Sequence, residues 1–149
     1  MRTLDIDWAD LEIAFRDAGT ESYLDLEGGD VLSIVDGFDD ERDLRERLAR
    51  FPGRFARIVP VDRAFTTGVV GRFVASQKGA LKKKLTEAFD GPGGISRVMA
   101  VLKEEKGAMT AYSRHEQSEL LKTIETWLKA QNVSSSEDAP GLELFEGLA

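Results

Sequence analysis

His115 is the only histidine of this 149-residue chain, and cysteine is absent. Thiolate nucleophiles, thiolate metal sites and disulfide frameworks are therefore excluded, as are metal centres built on two imidazoles. One imidazole still suffices for a serine relay, and Ser113 and Ser118 lie close to it in sequence. Such a relay is assembled in space, so proximity along the chain carries little weight. Helical spacing sets His115 one turn beyond Tyr112, a position that suits a packed or half-exposed ring. No catalytic residue is expected there.

Carboxylates are the next resource. Asp36-Gly37-Phe38-Asp39-Asp40-Glu41 is the densest acidic cluster, and hard cations favour oxygen-rich loops. It lacks the alternating ligands, central glycine and distal Glu of a calcium loop. Acids before a helix also cap it and favour its positive end, and capping is the reading adopted. Asp25, Glu27 and Asp30 flank a Gly-Gly pair and could pair for acid–base work; solvated hairpin ends carry such acids routinely. Neither a metal nor a cofactor is expected.

Gly91-Pro92-Gly93-Gly94-Ile95-Ser96-Arg97 is the one loop that resembles an anion cradle. Amides at the start of the next helix, with Gly93, Gly94, Ser96 and Arg97, could hold a phosphate. The Gly-Lys-Ser/Thr ending of a nucleotide loop is missing, no strand leads in, and a helix-to-helix turn explains the same residues. Lys82, Lys83 and Lys84 sit between Leu81 and Leu85, so they line the wet face of a helix.

The elements that position these groups follow from periodicity. Asp7 caps a helix whose Trp8, Leu11 and Phe15 share a face. Tyr23–Leu26 and Val31–Val35 are β-prone runs around Gly28-Gly29, which predicts a two-residue hairpin turn with Leu26 opposite Val31, Leu24 opposite Ser33 and Tyr23 opposite Ile34. A charged helix from about Asp40 to Phe51 has only Leu44, Leu48 and Phe51 as its stripe, and Pro52-Gly53 stops it. Phe55–Val59 reads as a third strand closed by Pro60. Helical periods follow: Phe65 to Val74, Leu81 to Phe89, Ile95 to Leu102, and Tyr112 to Leu128. The fold class is α+β, a small antiparallel sheet (hairpin plus third strand) with a helical C-terminal half, in a single domain over residues 1–133.

From Ser134 the chain turns linker-like, and residues 134–149 hold four acids without Lys or Arg. This acidic tail is expected to be flexible, with Leu142, Leu144, Phe145 and Leu148 available to dock into a partner's groove.

Net charge is −7, with a basic middle between acidic flanks: residues 1–50 hold 15 acids and 6 bases, residues 51–107 hold 5 and 11, and residues 108–149 hold 7 and 3. Segments of opposite sign can neutralise one another, and overall acidity repels phosphate at long range, so a nucleic-acid partner is not expected. The N-terminus lacks the apolar stretch of a secretory signal, and no apolar run approaches the ~18 residues that span a bilayer. No membrane association and a cytoplasmic location are expected.

Four stretches in this order carry a resemblance. Tyr23-Leu24-Asp25-Leu26-Glu27-Gly28-Gly29-Asp30-Val31, Arg57-Ile58-Val59-Pro60, Gly91-Pro92-Gly93-Gly94-Ile95-Ser96-Arg97-Val98 and Trp127-Leu128 are similar to the hairpin, strand end, Gly-rich turn and last helix of a bacterial group known as uncharacterised protein family 0158. The resemblance covers most of residues 7–133. The chain departs from it at Ile95 and Val98, where the family has aromatics, at its single Arg97, and at Tyr112 and His115, which stand at Trp and Phe positions. The family has no established activity, so the resemblance implies a fold and supplies no catalytic residue.

The functional expectation is a non-enzymatic cytoplasmic regulatory or interaction protein with a protein partner. Its contacts would be Leu142, Leu144, Phe145 and Leu148, with Lys82, Lys83 and Lys84 as an electrostatic surface. The alternative is a small-molecule or nucleotide (phosphate)-binding protein using the Gly91–Arg97 turn.

Overall fold

A computed structural model describes residues 1–137 and Ala139. The element order is β1 (Arg2–Leu4), α1 (Trp8–Arg16), β2 (Glu21–Asp25), β3 (Val31–Ile34), α2 (Glu41–Arg50), β4 (Phe55–Ile58), α3 (Arg63–Ser76), α4 (Gly79–Phe89), α5 (Gly94–Glu104), α6 (Ala108–Ala130) and β5 (Val133–Ser135). A three-stranded antiparallel sheet in the order β3-β2-β4 and helices concentrated in the C-terminal half make the fold α+β, as the periodicity predicts. Among the described residues no helix is long and apolar enough to cross a membrane.

The described chain forms two compact units, Met1–Val61 with the residues from Leu120 on, and Asp62–Glu119. One boundary follows Pro60, which the sequence marks only as a strand end, and the other falls inside α6, where helical periodicity is unbroken. Neither has the composition of a linker.

In the first unit, Asp7 caps α1 as expected, its Oδ1 accepting the Asp10 N–H at 3.1 Å. Trp8, Leu11 and Phe15 are buried on the inner face. Leu24, Ile34, Ile58, Leu120, Leu121 and Ile124 complete a core with almost no solvent contact, and Phe15 meets Trp127 edge-on at 5.4 Å.

The hairpin register differs from the predicted one. Leu24 pairs with Val31, Tyr23 with Leu32, Ser22 with Ser33 and Glu21 with Ile34. The cause is Asp25. Its backbone N–H closes the ladder on Asp30 O at 2.8 Å, while its carboxylate accepts the Glu27 N–H at 2.9 Å and its carbonyl the Gly29 N–H at 2.8 Å. The turn is therefore a four-residue loop, 26–29, rather than a Gly-Gly pair. Gly29 adopts φ 85°, and a Cβ there would meet Asp5 O at 2.3 Å. Because the register moves by an even step, the same residues still face the core.

β1 and β5 were not predicted. They pair in parallel, Arg2 with Val133, Thr3 with Ser134 and Leu4 with Ser135. Three-residue strands from opposite ends of a chain leave no local pattern to read. Their pairing corrects the tail boundary: Ser134 and Ser135 belong to a strand, Ser136 N–H bonds Leu4 O at 2.8 Å, and Trp8 Nε1 donates to Ser135 Oγ at 3.0 Å. Leu142, Leu144, Phe145 and Leu148 lie outside the described residues.

The second unit packs Val69, Val70, Phe73, Val74, Leu85, Val98, Leu102, Ala108 and Tyr112 into one core. Its ring pair is Phe73 on Tyr112, edge-on at 5.3 Å. These are largely the apolar positions that the helical spacing singles out.

Candidate functional site

Asp25 is the best-anchored polar group of the first unit and the one the sequence misrepresents. It is not a solvated hairpin acid; it is 2% exposed. Arg54 grips it with Nε and a terminal nitrogen, both at 2.9 Å, a bidentate charge-assisted pair. The Arg54 hydrogen bonds, aided by the Glu27 and Gly28 amides, outweigh burial and hold the Asp25 carboxyl down at about 2.

That grip fixes the start of β4. Among the described residues β4 pairs only with β2, in the register Ser22 to Ile58, Tyr23 to Arg57, Leu24 to Ala56 and Asp25 to Phe55. The Leu26 N–H bonds Arg54 O at 2.8 Å in the same register. Alternation then turns the backbone groups of Ala56 and Ile58 towards β2 and those of Phe55 and Arg57 away from the sheet. Among the described residues nothing bonds those outward groups. Just beyond, Val59 is 69% exposed.

Arginines and rings interleave along this edge. Arg47 lies over the Phe55 ring at 5.7 Å, Arg54 over Phe51 at 5.4 Å and Phe55 at 5.5 Å, and Arg57 over Tyr23 at 5.4 Å. In each stack the ring face attracts the guanidinium charge. Glu21 accepts the Tyr23 hydroxyl at 2.6 Å and pairs with Arg45 and Arg57 at 3.3 and 3.4 Å. The tyrosine hydrogen bond, with help from both arginines, depresses its carboxyl. Beside the first residues of β4 a groove of about 470 Å³ is lined by Arg2, Glu27, Arg50, Phe51 and Arg54. Among the described residues Arg47 and Arg50 have no carboxylate partner. The arrangement offers basic and aromatic side chains along a strand whose outward backbone groups no described residue bonds.

The signal for this site was present in the sequence. Arg47, Arg50, Phe51, Arg54, Phe55 and Arg57 alternate basic and aromatic character within eleven residues, and a proline closing a short strand marks an edge.

The other candidate residues have structural partners. Arg97 folds back on the end of α4, donating to the carbonyls of Ala88 at 2.8 Å, Pro92 and Asp90 at 2.6 Å, and Gly91 at 3.4 Å. Ala88 and Asp90 belong to the end of α4, where a helix leaves its last carbonyls unsatisfied, while Gly91 and Pro92 lie in the turn itself. Gly93 takes φ 78° beneath the Arg97 guanidinium, and a Cβ on Gly94 would lie 2.2 Å from Phe89 O. Tight packing thus accounts for the Gly-rich turn, and a phosphate would have to displace four hydrogen bonds to recruit Arg97. Ser96 is exposed.

Lys84 pairs with Glu105 at 3.0 Å, while Lys82 and Lys83 are exposed on α4 without such a partner among the described residues. The 36–41 acids do not cap α2: Asp40 stands at its N-cap without a side-chain cap bond. Asp36 and Glu41 instead flank Arg45, at 3.0 and 3.6 Å. Among the described residues no group of three His, Asp or Glu side chains is placed to hold a metal.

His115 is half-buried against Phe73, its Nε2 lying 3.2 Å from Val69 O and 2.6 Å from Glu119 Oε2. Two acceptors on one nitrogen require Nε2 to carry a proton. Neither Ser113 nor Ser118 hydrogen-bonds the ring, so no relay is assembled. Burial pushes the Glu119 carboxyl up, but Arg72 and His115 outweigh it and the net shift is downward.

No family model, curated protein or solved structure matches the chain.

Proposed function

We propose that this chain is a non-enzymatic interaction module, cytoplasmic and regulatory, that works by contact with another protein. The observation that carries the reading is the open outer side of β4, flanked by exposed Val59 and by Phe51, which is 41% exposed. Natural sheets guard such edges, and an edge left open beside apolar side chains is a template for pairing with another chain. Lys82 and Lys83 form a second, electrostatic contact, and Leu142, Leu144, Phe145 and Leu148 a third that engages the partner's own groove. Kinship with family 0158 belongs to the same proposal and assigns no activity.

Affinity purification at native expression tests it. A partner should be enriched by the wild type, lost with Val59→Asp, and reduced by Lys82→Glu with Lys83→Glu or by removal of residues 140–149. Recovery of the same proteins by all four chains would refute the proposal.

A further inference from the structure

We infer that the partner presents an extended acidic segment with alternating apolar residues, which adds to the sheet as a fourth strand along β4. The inference rests on the interaction reading above and names the chemistry of its occupant. Phe55 and Arg57 each offer one outward N–H and one outward C=O, so a strand laid beside them gains four hydrogen bonds from groups that no described residue bonds. An ordinary loop or helix cannot satisfy that row; only extended backbone matches its spacing.

Charge decides what the incoming strand carries. Arg57 projects from the middle of the edge with a half-exposed side chain. Arg2 and Arg50 line the groove at its start, where Arg54 already pairs with Asp25 and Glu27. Phe55, Arg57 and Val59 share one face of the strand, so acidic side chains at alternate positions of the incoming segment meet Arg57 there, and its apolar ones turn to the opposite face beside Ala56 and Ile58. A second copy of this chain fits less well, because antiparallel pairing of β4 with itself about Arg57 sets two arginines face to face. Single-stranded nucleic acid also seeks basic and aromatic surfaces. Here the arginines already occupy the ring faces on which bases would stack.

The test is fluorescence anisotropy of the full chain with a labelled, end-blocked octapeptide alternating Val and Glu. Binding should saturate and weaken at least ~10-fold between roughly 50 and 300 mM salt. Arg57→Glu, which keeps the backbone donor, should weaken it by at least ~10-fold by placing like charges together. Arg57→Pro removes an outward N–H without touching the β2 ladder and should abolish it; thermal melts confirm that both variants fold. The inference is overturned if a Val–Lys octapeptide binds equally well, if a thymidine oligonucleotide binds more tightly, or if the free protein is a dimer dissociated by Arg57→Pro. Silence of the peptide while Val59→Asp still costs the native partner would sink this inference and leave the interaction reading standing.

Discussion

Asp25 shows what a single side chain does here. Without Arg54 its burial would be unfavourable; with Arg54 and two turn amides its carboxylate is favoured over the acid. The folded carboxyl titrates near 2 and an ordinary Asp at 3.8. The resulting stability is complete above the unfolded value and disappears as pH falls through the folded one. The gap corresponds to about 2 kcal/mol. Urea titrations at pH 6, 4 and 2 should show that loss in the wild type. Asp25→Asn should be about 2–3 kcal/mol less stable at pH 6, because it strips Arg54 of its anionic partner, and should lack this component of the acid decline. Equal acid sensitivity in both proteins would contradict the account. Sequence reading placed Asp25 at a hairpin end and missed its burial, since Arg54 lies 29 residues away and nothing local announces the pair. His115 was legible: its spacing from Tyr112 already indicated a packing position.

The elements were more legible than their junctions. Helices and the hairpin follow from periodicity because burial selects one face of each. The hairpin register was misjudged because Gly28-Gly29 suggests a tight turn while the Asp25 carboxylate stabilises a longer one. The Gly91–Arg97 turn carries the same lesson. Its residue types suit an anion, yet they serve an α4–α5 junction in which Arg97 caps carbonyls and Gly94 allows backbone contact. Gly94→Ala, which forces a Cβ against Phe89 O, should lower stability by about 1–3 kcal/mol in thermal unfolding. Arg97→Ala should cost about 1 kcal/mol. Inorganic phosphate should leave the melting temperature of the wild type unchanged. A phosphate-dependent rise that Arg97→Ala removes would restore the anion reading.

At the scale of the whole molecule, the parallel pairing of β1 with β5 ties the first residues to those after α6. It was invisible in sequence because strands of three residues, Arg2-Thr3-Leu4 and Val133-Ser134-Ser135, are too short to carry a periodic signal. A chain ending at Val133 should therefore lose about 2–3 kcal/mol against one ending at Ala139, the worth of the lost ladder and Trp8 bonds; indistinguishable urea midpoints would contradict this. The charge pattern also acquires a place: the acidic first fifty residues contain Arg47 and Arg50, which join Arg54 and Arg57 in a local basic rim that the net charge of −7 conceals. Function is expected to reside in that rim and the strand beneath it. Residue-resolved amide hydrogen exchange of the free protein, with and without the Val–Glu octapeptide, tests this most directly. Ala56 and Ile58 should be protected in both states, while Phe55 and Arg57 should exchange freely alone and at least ~10-fold more slowly with the peptide. Protection of Phe55 and Arg57 already in the free protein, or none gained with the peptide bound, would contradict it.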